Sequence, residues 1–208
     1  MSKKCVVFDF DGTLADTVGI LHRIYNDLAL ENGWEKLSLA EYKKLFTGTA
    51  WHALIWSKFR PWRIYQLVTE SRNRLHAKPS ETQLYPGIDK VIDYFSKNEW
   101  SIYVLSRNRE DTVRLILKEK GLKDNITVLS QASILGKHRK IKRLVKWKGY
   151  KKEYMWMIGD EVRDIKASNR SGIKCIAVSW GFQDRSVLKE ANPDFIVNQP
   201  KDILKIIV

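Results

Sequence analysis

The residues in this chain best suited to chemistry are aspartates, and they come in two pairs. Asp9 and Asp11 stand one residue apart at the end of a short apolar run, Val6-Val7-Phe8, and are followed by Gly12 and Thr13. Asp160 and Asp164 follow a second apolar run, "MWMI". A charge at the end of a buried strand is costly unless it is paired or metal-bound. Residues two apart on an extended strand point the same way, and Gly12 permits the tight turn that exposes both acids. One carboxylate of such a pair can attack as a nucleophile while its neighbour serves as general acid and base. Clustered carboxylates call for a counter-cation, and an oxygen-only set suits magnesium. Ser106, with Arg107 and Asn108 behind it, ends the run "IYVLS", and Lys137 follows Gly136 at the head of a basic helix. A hydroxyl and an ammonium are the groups that a dianionic phosphate needs beside acids that would repel it. The chemistry these residues could perform is phosphoryl transfer through an aspartyl-phosphate.

Elements that would position them can be read from the pattern. From residue 83 onward, short apolar runs alternate with amphipathic stretches: "SIYVLS", "NITVLS", "YMWMIGD", "IKCIAVSW" and "PDFIV" read as strands, with helices between. That alternation predicts βα units on a parallel sheet, with ligands outside the carboxyl ends of the strands. The opening strand belongs to the same sheet. Residues 15–82 instead show helical patterns and no convincing strand. Ile20, Ile24 and Leu28 fall at helical intervals before Gly33. Ser38 and Glu41 form a capping-box pattern, and Pro61 opens a further helix. The predicted architecture is α/β: a Rossmann-like parallel-sheet core, residues 1–14 and 83–208, with an inserted α-helical cap, residues 15–82.

"FDFDGT", "VLS", the lysine of "GKHRK" and "GDEVRD" resemble, in order, the four motifs of the haloacid dehalogenase superfamily. The inserted helices resemble its C1 cap. "YPG" and "AVSWGF" are similar to its phosphoglycolate phosphatase-like branch. The resemblance implies a magnesium-dependent phosphatase in which Asp9 is the nucleophile and Asp11 the general acid/base. It implies that Ser106 and Lys137 hold the phosphate. Arg107, beside Ser106, reads either as a substrate contact that sets specificity or, equally, as a surface residue. The metal set it implies is Asp9, Asp11 (through its backbone carbonyl), Asp160 and Asp164. Asp11 argues for phosphate chemistry, because dehalogenases proper lack this second acid. The implied substrate is a small phosphomonoester, with phosphoglycolate a candidate; a sugar-phosphate mutase or a nucleotidase would share the fold. "FTGTAW" resembles the cap loop that faces the active site, which makes Thr47, Gly48 and Thr49 specificity candidates.

Several residues have a plainer reading. Thr13 can cap a helix, Asp160 can be an N-cap, and Asp164 can complement a helix dipole or support a metal ligand. Arg139 and Lys140 compete with Lys137 as the active cation. The cap's Trp34, Trp51, Trp56 and Trp62, with Arg60, Arg63, Arg72 and Arg74, fit a helical core before they fit a nucleotide grip. The net charge of +13 admits nucleic-acid binding, but a solvated basic face that steers anionic substrates is the preferred expectation. Cys5 and Cys175 have no metal-ligand spacing and read as small buried thiols in a reducing cytoplasm. No apolar run reaches the roughly 20 residues of a membrane span.

Overall fold

A computed structural model describes residues 3–45, 61–122, 125–130 and 136–207. Strands β1 (Cys5–Asp9), β4 (Ser101–Ser106), β5 (Ile126–Ser130), β6 (Met155–Gly159), β7 (Lys174–Val178) and β8 (Phe195–Val197) form a parallel sheet in the order β5-β4-β1-β6-β7-β8. β1 is central and fully buried, which is why it reads as a continuous apolar run rather than an alternating one. Chain order runs outward from β1 in both directions, so the crevice where ligands bind in such sheets opens at the carboxyl end of β1.

Alternation along β1 decides which layer each side chain meets. Val6 and Phe8 join the larger core, with Ile88, Val91, Ile92 and Phe95 of α4 (Ile88–Lys97) and Val113 and Ile116 of α5 (Glu110–Glu119). Cys5 and Val7 face the other layer. There they pack with Ile141 and Leu144 of α6 (Lys137–Lys148) and Ala167 of α7 (Val162–Ser171). Asp9 continues the Cys5/Val7 series, which aims it at the layer that α6 heads with Lys137. The remaining helices of this region are α8 (Arg185–Glu190) and α9 (Lys201–Ile207).

The inserted stretch carries α1 (Val18–Asn32), α2 (Leu39–Lys44) and α3 (Pro61–Ala77). α1 ends at Gly33 in the left-handed region, and α2 starts from the Ser38/Glu41 capping box. Ile24 and Leu28 of α1 pack on Leu75 of α3. Arg74 pairs with Glu31, and the Arg63 guanidinium lies 5.4 Å from the Trp34 ring centre, so these residues serve the helical packing. Trp62 is exposed. Trp51, Trp56, Arg60, Thr47, Gly48 and Thr49 lie outside the described residues. One feature departs from the sequence expectation: β2 (Ala15–Asp16) and β3 (Gln83–Leu84) pair antiparallel, a two-residue ribbon at the two ends of the insertion. Cys5 and Cys175 are buried, unpaired thiols. Among the described residues no helix is long and apolar enough to cross a membrane.

Candidate active site

Strand register gathers the acids at one edge. Asp9 pairs with Leu105, one residue before Ser106, and Phe8 pairs with Ile158, two before Asp160. Beyond Asp9 the chain turns sharply: the Phe10 carbonyl accepts from the amides of Leu14 (3.0 Å) and Ala15 (2.9 Å). Gly12 takes φ +75° in that turn, and a Cβ there would run into the Asp160 carboxylate and sit 2.6 Å from the Phe182 ring. Only glycine serves at that position.

Asp9 is 3 % exposed. Its Oδ1 accepts from the Phe10 amide at 2.8 Å. Its Oδ2 lies 2.5 Å from Lys137 Nζ, in direct contact with the ammonium. Burial opposes the Asp9 charge, but Lys137 and Arg163 outweigh it and hold the carboxyl below the usual range. Lys137, also 3 % exposed, pairs with Asp164 as well. Burial works against the lysine's charge, but Asp164 and Asp9 keep it firmly protonated. Of Lys137, Arg139 and Lys140, Lys137 is therefore the one that joins this cluster. Lys140 instead reaches the Ser130 carbonyl, and Arg139 is exposed.

Asp160 is fully buried. Its oxygens accept from the Thr13 hydroxyl at 2.7 Å and the Phe182 amide at 2.8 Å, so Thr13 orients Asp160 rather than capping a helix. Burial, then Glu161 and Asp9, push the Asp160 carboxyl well above its ordinary value. The N-cap of α7 is Glu161, not Asp160: its amide donates to Asp164 Oδ2 at 3.2 Å in a reciprocal capping box. Both oxygens of Asp164 thus meet donors, Lys137 and the Glu161 amide. Burial pushes Asp164 up to about 7 against the pull of Lys137. Glu161 pairs with Arg163.

Asp11 is partly exposed at the mouth of the site. Burial and the nearby Asp9 raise its carboxyl, and Asn108 Nδ2 donates to both of its oxygens, at 3.0 and 2.9 Å. Ser106 is fully buried. Arg107 is partly buried. Burial lowers its pKa, as does Arg163, while Glu161, Asp9 and Asp11 act to raise it. The fold thus brings Asp9, Asp11, Ser106, Arg107, Lys137, Asp160 and Asp164 to one sheet edge. Asn108, named in the sequence only as following Ser106, stands with them, as do Glu161 and Arg163, to which the sequence pattern assigns no role.

The cluster fits a divalent cation. Carboxylate oxygens of Asp9, Asp160 and Asp164 lie within 4.8 Å of one another. Four buried acids, with Glu161, face two cations, Lys137 and Arg163. Hard oxygen donors and this residual negative charge suit an ion of the magnesium type.

A family profile described as haloacid dehalogenase-like hydrolase matches residues 6–178. The chain is 28% identical to a phosphoglycolate phosphatase of Synechococcus elongatus over 203 residues, covering 97% of this chain and 96% of that one. It is 25% identical to the pyrophosphatase PpaX of Bacillus cereus, covering 100% and 97% respectively. Its fold matches that of a haloacid dehalogenase-like family hydrolase from Streptococcus pneumoniae with a TM-score of 0.84 at 20% identity, covering 99% of both chains.

Proposed function

The chain belongs to the haloacid dehalogenase-like hydrolases, and from that premise we propose that it is a magnesium-dependent phosphatase of small phosphomonoesters. The observation that carries the proposal is Asp9: a buried carboxylate held ionised by Lys137, whose ammonium lies 2.5 Å from its Oδ2. A carboxylate nucleophile must be charged.

In the proposed reaction Asp9 attacks phosphorus, and the bond from phosphorus to the ester oxygen breaks. Asp11 gives its proton to the leaving oxygen. Water then attacks the aspartyl-phosphate, its proton passes to Asp11, and the Asp9 carboxylate is regenerated with free phosphate. Lys137 and the Ser106 hydroxyl hold the phosphoryl oxygens, and Lys137 offsets their charge beside Asp9. Asp9, Asp160 and the backbone carbonyl of Asp11 would hold magnesium, with Asp164 beside them as the partner of Lys137. When bound, the ion offsets negative charge on the phosphate. The helices of residues 15–82 form the cap over a core of residues 1–14 and 83–208, and exclude water from the site. Arg107 meets the rest of the substrate in this reading. The phosphoglycolate phosphatase relative makes phosphoglycolate the first substrate to test, and PpaX makes pyrophosphate the second.

The test is a screen of small phosphorylated metabolites with the purified protein, in magnesium and in chelator, with Asp9→Asn as control. Magnesium-dependent phosphate release by the parent, absent from Asp9→Asn, is the expected result. Equal release in chelator would refute the metal assignment, and turnover by Asp9→Asn would remove Asp9 from the chemistry.

A further inference from the structure

Asn108 is buried, 7 % exposed, in the loop after β4. It is fixed from two sides by its backbone. Its amide donates to Ser106 Oγ at 3.0 Å, and its carbonyl accepts from Ser130 Oγ at 2.7 Å, at the ends of β4 and β5. The side-chain amide is what remains to do something, and it spans both oxygens of Asp11. We propose that Asn108 is the positioning residue for Asp11, and that it sets the direction in which Asp11 delivers and collects its proton. The inference rests on the phosphatase reading above.

The chemistry of the amide suits this task better than the alternatives. A lysine or arginine in its place would bind the carboxylate as a permanent anion and oppose its protonation. An apolar side chain would remove the donor that spans both oxygens. A neutral amide serves both states. It donates to the two oxygens of the carboxylate. Once one oxygen is protonated, it donates to the other, which leaves the O–H turned toward the leaving group. The same residue also prepares Ser106. With the Asn108 amide occupying a lone pair of Ser106 Oγ, the hydroxyl hydrogen is left to point at a phosphoryl oxygen.

The measurement compares two esters of different leaving group in the presence of magnesium. 4-Nitrophenyl phosphate releases its phenolate without a proton, whereas an alkyl phosphate chosen from the screen above needs one from Asp11. kcat/KM reports the first phosphoryl transfer alone. In Asn108→Ala it should fall about 10- to 100-fold for the alkyl ester, a share of what general acid catalysis supplies, and less than about 3-fold for the nitrophenyl ester. kcat should fall on both, because water attack also needs Asp11. The nitrophenyl ester should then show a burst of nitrophenolate, one per active site, as the aspartyl-phosphate accumulates. Asn108→Ser, which keeps the loop polar, carries the same expectation should the alanine variant fail to fold. A loss of kcat/KM equal on both esters, or no loss on either, overturns the role of Asn108. A parent enzyme that hydrolyses neither ester overturns the phosphatase reading instead.

Discussion

Asp9 and Asp160 are both buried at the same sheet edge, yet the structure gives their charges opposite consequences for stability. From sequence alone, removing a carboxylate from a crowded acidic site, as in Asp9→Asn, promises relief from repulsion. The geometry moves that expectation to Asp160. Asp9 lies against Lys137 and near Arg163, and its pKa is depressed. Its charge therefore adds stability above the ordinary carboxylate range, and that stability is lost as pH falls through the lower folded value. Asp160 has no ion pair among the described residues; it faces Glu161, Asp9 and Asp164, and its pKa is raised. As pH climbs past the ordinary range, the unfolded chain gives up this proton first. Stability then falls until the folded value is reached and stays low above it.

Asp160→Asn keeps the shape and removes the charge. The new carbonyl can accept from the Phe182 amide, and the new NH₂ can donate to the Thr13 hydroxyl, which turns to accept. Unit charges about 4.8 Å apart at an effective dielectric of about 20 repel by ~3.5 kcal/mol. Lys137 and Arg163 cancel part of that, leaving about 1–3 kcal/mol, or a rise in Tm of about 2–12 °C for a chain of this size. Thermal unfolding in chelator near about pH 7.5 should therefore show Asp160→Asn above the parent and Asp9→Asn level with it or below. The gap between parent and Asp160→Asn should close as the pH approaches about 4, where the unfolded carboxylates take up protons. Added magnesium should raise the parent by mass action and leave Asp160→Asn behind. The reasoning fails if Asp160→Asn melts at or below the parent in chelator, or if Asp9→Asn gains as much.

Lys137→Ala should remove kcat and also destabilise the fold by about 3–5 kcal/mol, because it leaves Asp9 and Asp164 buried without their shared cation; a loss below about 1 kcal/mol in denaturant titration would refute that burial argument. The exposed cations of α6 should steer substrate without touching chemistry. Neutralising Lys142, Arg143 and Lys146 together should lower kcat/KM a few-fold at low salt, leave kcat unchanged and converge with the parent at high salt, whereas a kcat deficit that persists at high salt would refute steering. Lys140 is left out of that variant because it is tied to the Ser130 carbonyl.

Most of this architecture was legible because each core strand is a short apolar run between helical periods, and the acids stand at the ends of such runs. Gly33, Ser38, Glu41 and Pro61 marked helix ends through local chemistry that the structure retains. What escaped was either too short or too distant in sequence. The β2/β3 ribbon has two residues a side, and α8 has six without a side-chain cap bond, so neither can show a period. The Thr13 bond to Asp160 spans 147 residues and the Asn108 bonds to Asp11 span 97. Nothing local in "DGT" or "SRN" distinguishes a hydroxyl or an amide that orients a distant carboxylate from one that caps a turn.

Of the four aspartates at this edge, Asp9, Asp160 and Asp11 differ chiefly in the company each keeps, and the proposed chemistry gives a reason for each of these differences. A nucleophile has to be ionised before substrate arrives, and Asp9 has both an ammonium in contact, shared with Asp164 but not with Asp160 or Asp11, and a guanidinium nearby. A metal ligand needs its charge only when the cation is present. Among the described residues Asp160 has only neutral donors, the Thr13 hydroxyl and the Phe182 amide, which aim it without neutralising it, so its repulsion with Asp9 is held in reserve for a divalent ion to offset. A group that serves in turn as acid and base can be tied to neither a cation nor an anion. Asp11, raised by burial and by Asp9 but oriented by a neutral amide, is left able to change its proton within each cycle.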